Sequence, residues 1–306
     1  MKPTRVLISG GSGFIGSNLV DKLVNSNLDF EIFVVDHKDP QYINNAVNYQ
    51  KIDITSNSLH SFIEKISPEI TVHLAAQASV SVSSRDPILD SQVNILGSLN
   101  LLKSSIESGI RKFIFFSTGG AIYGENINKK FREVDPPDPK SPYGISKYSF
   151  EVYLNYLSQK YNIKNTILRP SNVFGPRQNP EGEAGVISIF GKKMLSNDTV
   201  NIFGTGNEYR DYIYVDDVVN FAQLSINQDF FGTYNVCSGK TLTTFEVFDN
   251  LSNLTNYTKK PVYKDPRDGD IVGIKLDNTK AIKNTKWKTK TSFLDGLKST
   301  INFLKL

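Results

Sequence analysis

Cysteine is almost missing from this chain of 306 residues: there is one, Cys237. A lone thiol excludes an intramolecular disulfide framework and fits a reducing compartment. It stands in "NVCSG", the end of an apolar stretch, where it reads as a packed thiol rather than a nucleophile. Histidine is scarce as well, with three, and neither CxxC nor HExxH occurs, so no protein-built metal site is expected. No apolar run approaches the length of a membrane span, about 20 residues. A strong charge of one sign is also lacking. The net charge of +4 is scattered, and the longest basic cluster, Lys286 to Lys290, is interrupted by Trp287 and Thr289. That argues against nucleic acid and for a solvated surface, while leaving anionic small molecules open. The opening "MKPTRVLISGGSGFIG" runs at once into a strand and a glycine loop, too short for a signal peptide. A soluble, cytoplasmic protein without a membrane partner is the expectation.

What is present is an alternation. Short apolar runs at 5–9, 30–36, 47–53, 71–76, 112–118 and 165–170 read as strands, and amphipathic stretches at 14–26, 57–66, 88–108 and 144–160 read as helices. In the third helix Ile88, Val93, Ile95, Leu96, Leu99 and Leu102 form an apolar stripe. Runs that are β-branched and apolar throughout suit strands buried on both faces, and repeated βα units imply a right-handed, doubly wound parallel sheet. The fold class is therefore α/β: a Rossmann sheet with a smaller, interleaved α/β lobe for substrate. Regularity breaks after Asn172, and "GPRQNPEGEAG" (175–185) reads as a long surface loop. Residues 1–171 form the expected dinucleotide-binding domain and 172–306 mainly the substrate lobe. The strand-plus-helix pattern of 209–228 is expected to return to the main sheet.

The stretch "SGGSGFIG" places Gly10, Gly13 and Gly16 between a strand and a helix. Glycines let the backbone turn tightly and approach a pyrophosphate, which then sits at a helix N-terminus. Asp36 closes the next strand, twenty residues after Gly16, the distance expected of a ribose-binding carboxylate. Its charge repels a 2′-phosphate and favours NAD over NADP, with Lys38 as an opposing charge nearby. Asp53, at the end of the third strand, reads as an adenine contact or as a strand-terminal turn. Further on, "STGGAIYG" (117–124) holds Ser117 and Thr118, and "YGISK" holds Tyr143 and Lys147. The last two alone read equally as an ordinary i, i+4 pair on a helix surface.

Taken in order, the glycine loop, "HLAAQASV" (73–80), "NILGS" (94–98), "STGGAIYG", Tyr143-x-x-x-Lys147, "LRPSNVFGPRQ" (168–178), "FGTGNEYRDYIYVDD" (203–217) and "PRDGD" (266–270) resemble one family. It is the extended short-chain dehydrogenases, the NAD-dependent epimerase/dehydratase family, on the side of its UDP-glucose (UDP-galactose) 4-epimerases. The resemblance runs nearly end to end. It implies that NAD is held by Gly10, Gly13, Phe14, Ile15, Gly16, Asp36, Asp53, Ile54, Leu74, Ala75, Ala76, Asn94, Ser117, Tyr143, Lys147 and Pro170. It implies that Tyr143 is the acid/base, with Lys147 on the nicotinamide ribose depressing the phenol. Thr118 supplies the second hydroxyl and Ser117 packs near the nicotinamide. For a UDP-sugar it implies Thr118 and Tyr143 at the sugar, Asn172, Arg210, Arg267 and Asp270 at the diphosphate and ribose, and Asn201 and Phe203 beside the uracil. Members of the family usually dimerise through two helices, here 88–108 and 144–160, so a homodimer is expected.

One more absence then carries weight. Related 4,6-dehydratases place an Asp-Glu pair just after the hydroxyl, because they must move a proton at C5 and expel the 6-hydroxyl. Here Gly119 and Gly120 stand there. One acid/base and a nicotinamide suffice for reversible oxidation at C4, turnover of the 4-keto sugar and return of hydride to the other face. Epimerisation is the expected reaction, on UDP-glucose/UDP-galactose or on an N-acetylated or uronic UDP-sugar, since Ile274 at the size-selecting position is intermediate. A 4-ketosugar reductase or dehydrogenase is a second reading, distinguished by net NADH production. A non-enzymatic dinucleotide-binding protein is a third, and the intact Tyr143/Lys147 pair argues against it.

Overall fold

A computed structural model describes residues 2–126, 129–181, 185–266 and 271–306. The chain divides into two compact units, one of residues 1–118, 141–169 and 219–234, the other of 119–140, 170–218 and 235–306.

In the first unit the strands are β1 (Thr4–Ser9), β2 (Phe30–Asp36), β3 (Asn48–Lys51), β4 (Ile70–His73), β5 (Lys112–Phe116), β6 (Lys164–Pro170) and, at the sheet's end, β10 (Gly232–Val236). They lie in the order β10-β6-β5-β4-β1-β2-β3, and the pairs from β6 through to β3 are all parallel. The chain builds outward from β1 to β3, then crosses back to β4 and builds the other way. Between β1 and β4 the direction of winding reverses, so the loops after those two strands diverge and leave a crevice. β4 and β5 are buried throughout, as a central parallel strand requires. β3 is a mostly exposed edge of four residues, shorter than the 47–53 run.

Helices α1 (Phe14–Val24), α2 (Ser58–Ile66), α3 (Val80–Arg85), α4 (Pro87–Ser91), α5 (Ser98–Glu107) and α7 (Pro142–Tyr161) flank this sheet. Leu59 and Ile63 of α2, Leu101 and Leu102 of α5, and Phe150 and Leu154 of α7 pack with Leu7, Val35, Phe113, Phe115 and Ile167 in one core cluster. Phe150 stands edge-on to Phe115 at 4.7 Å. Truncating such a ring to Ala costs about 3–5 kcal/mol.

The helix expected over 88–108 is not continuous. Pro87 starts α4, with the Asp86 carboxylate accepting from Leu89 N at 2.9 Å. A π-helical turn, Gln92–Gly97, then separates α4 from α5. The inserted turn rotates the face, so a stripe drawn at 3.6-residue spacing does not stay inside. Leu102 is buried, whereas Ile88 is 70% and Leu96 is 62% exposed.

The second unit holds two small sheets. β9 (Tyr209–Tyr214) lies between β7 (Asn172–Phe174), parallel to it, and β11 (Thr241–Thr243), antiparallel. β8 (Asn201–Phe203) pairs with β12 (Val262–Lys264). Helices α6 (Gly119–Ile122), α8 (Val186–Leu195), α10 (Thr244–Thr255), α11 (Thr279–Thr285) and α12 (Phe293–Leu304) complete it, and α8, α10 and α12 pack on one another. The expected return of 209–228 to the main sheet takes a different form. Its strand is β9 of the small sheet, and the seventh strand of the main sheet is β10 instead. Helix α9 (Val215–Asn227) carries the chain from one unit to the other at Val219. An apolar strand pattern shows that a segment is a strand but not which edge it joins. Among the described residues no helix is long and apolar enough to cross a membrane, and no cluster of His, Cys, Asp or Glu could hold a metal ion.

Candidate active site

Residues 10–13 turn the chain from β1 into α1. Gly10 has φ +74°, and a Cβ there would meet Ala75 N at 2.5 Å. A Cβ at Gly16 would strike the Gly10 carbonyl oxygen. Both positions require glycine. Gly13 caps α1 with no side-chain bond, so the first-turn N–H groups, Phe14 and Ile15 among them, have no capping acceptor. That makes the helix start an anion seat. Asp36, at the end of β2, is 8% exposed. Its carboxylate accepts from Ser12 N and Lys38 N, both at 3.1 Å, which ties the loop to the strand end and leaves lone pairs for a ribose hydroxyl. Lys38 contributes its backbone N–H there, and its side chain is exposed. Backbone donors at a helix start, a glycine cradle and a strand-end carboxylate fit a dinucleotide.

The Leu74 and Ala75 N–H groups both donate to the Ser9 carbonyl, at 2.9 and 3.1 Å, so the 74–76 stretch, with Ala76, lies along the loop after β1. Asp53 is exposed and accepts from Thr55 N at 2.8 Å and from the Thr55 hydroxyl at 2.7 Å, a turn-closing role. Ile54 belongs to the core cluster, and Pro170 is buried at the end of β6. Asn94, inside the π-helical turn, spends both ends of its amide on protein. Its Oδ1 accepts from Gln77 N at 2.9 Å, and its Nδ2 donates to Gln77 O and Asp90 Oδ1, each at 2.9 Å.

The reactive groups converge from β5 and α7. Ser141 caps α7, accepting from Gly144 N at 3.2 Å, and Pro142 follows at the first helical position, where its missing N–H costs nothing. Tyr143 N donates to Ser83 Oγ at 3.1 Å, which fixes the first turn against α3. The Thr118 hydroxyl is buried and acts on the Tyr143 phenol in the direction that favours its ionised form. The Ser117 hydroxyl is buried with no hydrogen-bond partner, while its N–H donates to Leu168 O at 2.8 Å. Lys147, one turn after Tyr143, is 3% exposed, and its ammonium lies 4.4 Å from the Phe115 ring centroid.

The electrostatics differ from expectation. The phenol of Tyr143 is not depressed by the polypeptide's own charges. Burial pushes it up to about 12, with the Thr118 hydrogen bond working downward and the Asp90 charge upward. Burial pushes Lys147 down to about 7, opposed by the charges of Glu151 and Asp90. Desolvation disfavours both charged forms and is the largest influence on each. His73 is held well below its ordinary value by burial and then by Lys147. It is therefore a neutral ring, hydrogen-bonded to Ser9 Oγ at 2.7 Å and Ser98 Oγ at 2.8 Å. Arg169 and Glu151 form a buried two-point pair, Nε to Oε1 at 2.9 Å and a second guanidinium nitrogen to Oε2 at 2.5 Å.

In the second unit Arg210 lies on β9, two residues from Tyr212, whose parallel partner is Asn172 on β7. Alternation along the strand therefore puts Arg210, Tyr212 and Asn172 on one face. Among the described residues, the Arg210 guanidinium donates to the carbonyls of Tyr209 at 2.9 Å and Ile271 at 3.0 Å and to no carboxylate. Asn201 and Phe203, two apart on β8, share a face of the other sheet. The Glu208 carboxylate accepts from Thr205 N at 2.9 Å and Gly206 N at 2.8 Å, shaping the turn between β8 and β9. Arg267 and Asp270 lie outside the described residues. Ile274 is 1% exposed, a core position.

The model of the NAD dependent epimerase/dehydratase family matches residues 6–237. The chain belongs to the NAD-dependent epimerase/dehydratase family. Among solved structures of the family, it is similar to a UDP-glucose 4-epimerase from Thermotoga maritima with UDP-glucose, at 43% identity and TM-score 0.95 over 99% of both chains. It is similar also to a Thermus thermophilus UDP-glucose 4-epimerase complexed with NAD, at 37% identity and TM-score 0.93 over 99% of both. A UDP-glucose 4-epimerase of Mycolicibacterium smegmatis is 34% identical over 308 residues, 98% of each chain.

Sequence reasoning passed over the polar set behind the reactive pair in this family member: Gln77, Ser83, Asp90, Ser146 and the role of His73. A signal existed only in part. An aspartate inside the 88–108 stretch is ordinary on a solvated helix face, and only the π-helical turn carries Asp90 inward, to 1% exposure.

Proposed function

We propose that the chain is a UDP-hexose 4-epimerase, interconverting UDP-glucose and UDP-galactose through a transient 4-keto sugar, with NAD retained on the protein. The observation that carries this reading is Tyr143 one turn before buried Lys147 on α7, with the buried Thr118 hydroxyl acting on the same phenol. Directly after Thr118, Gly119 and Gly120 stand where a second acid/base would have to be. When bound, NAD supplies a reversible hydride acceptor for the sugar's C4. Gly10, Gly13 and Gly16 with the first turn of α1 would seat its pyrophosphate, and Asp36 a ribose.

The remaining chemistry belongs to this chain's residues. Tyr143 as phenolate takes the proton of the sugar's 4-hydroxyl and later returns it, and Thr118 hydrogen-bonds the same oxygen and orients it. Bringing a phenol from about 12 to neutrality requires roughly 7 kcal/mol of differential stabilisation. The Lys147 ammonium and the positive ring of an oxidised nicotinamide would share that work. Arg210, with its planar fork, and Asn172 are assigned to the diphosphate, Asn201 and Phe203 to the uracil, and Arg267 and Asp270 to the diphosphate and ribose. Gripping the nucleotide while leaving the hexose loosely held lets the keto sugar present either face.

We assign a homodimer to the same reading. Ile88, Leu89 and Leu96 on the α4 to α5 stretch, and Ile145, Val152, Tyr153 and Tyr156 on α7, are exposed apolar side chains on helices packed together. Exposed apolar side chains gathered on packed helices are what a subunit interface would cover.

Proton NMR of the purified protein with UDP-galactose and no added cofactor tests the reading. Anomeric signals of UDP-glucose should grow in without net NADH. Turnover only of N-acetylated or uronic UDP-sugars would move the assignment to those substrates, and stoichiometric NADH would replace it with a dehydrogenase.

A further inference from the structure

Near the acid/base pair lies a buried carboxylate that takes no direct part in the proton transfer. Asp90 is 1% exposed at the end of α4. Its Oδ1 accepts from Asn94 Nδ2 at 2.9 Å and Gln77 Nε2 at 3.2 Å, while its Oδ2 is buried and has no hydrogen-bond partner among the described residues. A buried carboxylate oxygen left without a donor is costly, and it calls for a physical reason. Asp90 is also wired to the reactive helix. Asn94 Nδ2 reaches Ser146 Oγ at 3.4 Å, and Ser146 Oγ donates to the Tyr143 carbonyl at 3.0 Å.

The charges around this carboxylate are few. Of the elements packed on α4, α7 brings Tyr143, Lys147 and Glu151, and the π-helical turn brings no charge. Helix α3 brings Arg85, and Asp86 follows it, both exposed. Around Lys147 stand Glu151, neutral His73 on β4 and Asp90. Glu151 is already occupied by the Arg169 fork. Asp90, on a helix packed against α7 and joined through Asn94 to Ser146, the neighbour of Lys147 in sequence, is thus a buried acid with acceptor capacity to spare.

We propose that Asp90 is a positioning residue for the proton cycle: a buried counter-charge, oriented by Gln77 and Asn94, that keeps Lys147 an ammonium so that Lys147 can act on Tyr143. A buried cation needs a nearby anion to stay charged. A lone negative charge beside the phenol alone would be a hindrance, since it raises Tyr143 as well as Lys147. The arrangement is useful only because the ammonium it secures lies one turn from the phenol. The role rests on the epimerase reading for its kinetic test, but not for its spectroscopic one.

The kinetic test is the pH dependence of kcat for UDP-galactose conversion by wild type, Asp90→Asn and Asp90→Glu. Removing the charge lowers both titrating groups, so both limbs of the profile in Asp90→Asn should move to lower pH together, by about 0.5–1 unit. Asp90→Glu, which keeps the charge, should hold the wild-type midpoints. A loss of packing alone lowers the rate without moving either limb. Unmoved limbs in Asp90→Asn, or an equal shift in Asp90→Glu, overturn the proposal. The second test needs neither turnover nor an Asp90 variant: carboxyl ¹³C NMR of aspartate-labelled holoprotein, wild type against Lys147→Met. One aspartate carboxyl signal should be displaced by loss of the ammonium. If none is displaced, Asp90 is not its counter-charge. A displaced signal in a protein that epimerises no sugar would uphold Asp90 and sink the functional reading.

Discussion

The loop and helix around Tyr143 in the first unit and the small β7-β9-β11 sheet of the second handle charge in opposite ways. Around Tyr143 the ionisable groups are dry. Lys147, His73, Asp90 and Glu151 are each under 4% exposed, and side chains orient them: Ser9 and Ser98 on His73, Asn94 and Gln77 on Asp90, Arg169 on Glu151. On the small sheet Arg210 is half-buried and rests on backbone carbonyls. A group that must change protonation is tuned by desolvation, and every unpartnered atom there is expensive. A group assigned to a diphosphate needs a planar donor fork rather than a tuned proton, and arginine supplies one.

The comparison breaks first at Tyr143. Replacing it with Phe should cut epimerisation by roughly 10³-fold or more while NAD, measured after acid extraction, stays bound at wild-type stoichiometry. Full retained activity would remove the proton-carrying role. A second test reads the dryness of Lys147 as stability. Its folded value near 7 lies below the unfolded 10.5, so between those values the unfolded chain binds more protons and stability rises with pH. The slope is at most about 1.4 kcal/mol per pH unit. Above pH 10 the raised Tyr143 works the other way, since its proton is then held more tightly in the folded state. Denaturant titrations of the cofactor-free protein should show the rise from pH 7 to 10, and Lys147→Met should flatten most of it. Buried Lys112, pushed down to about 8, would leave a slope of the same sign over the narrower window above pH 8. An unchanged slope in Lys147→Met would mean the ammonium is not dry.

On the gripping side, Arg210→Ala should weaken UDP binding by about 1.5–3 kcal/mol in calorimetry and leave NAD content alone. Equal loss of both ligands would indicate misfolding instead. The smallest effect sharpens the loop. Thr118→Ala should lower kcat about tenfold, and Ser117→Ala less, because Thr118 holds the phenol and Ser117 does not. The reverse order would reassign the hydroxyl.

The sheet was legible because buried parallel strands are apolar along their whole length, and the glycine loop because Gly10 and Gly16 are positions no side chain can occupy. The Thr118, Tyr143 and Lys147 set was legible only through a family resemblance, since the spacing alone also describes a surface pair. What escaped the sequence is tertiary. One extra residue per turn in Gln92–Gly97 sends Asp90 inward and Leu96 outward, and no periodicity announces it. The partner of β9 is set by pairing across the chain, so its sheet could not be read from its own residues. The value for Tyr143 depends on how much burial outweighs its neighbours, a balance that appears only when all of them are in place.

The most direct test of the account is the fate of hydrogen at the sugar's C4. UDP-galactose carrying deuterium there, converted without added cofactor, should give UDP-glucose that retains the deuterium at C4, with none in solvent. Washout of the label to solvent protium would mean that C4 is deprotonated rather than oxidised, and the assignment of Tyr143 and Thr118 to a transient 4-keto sugar would fall.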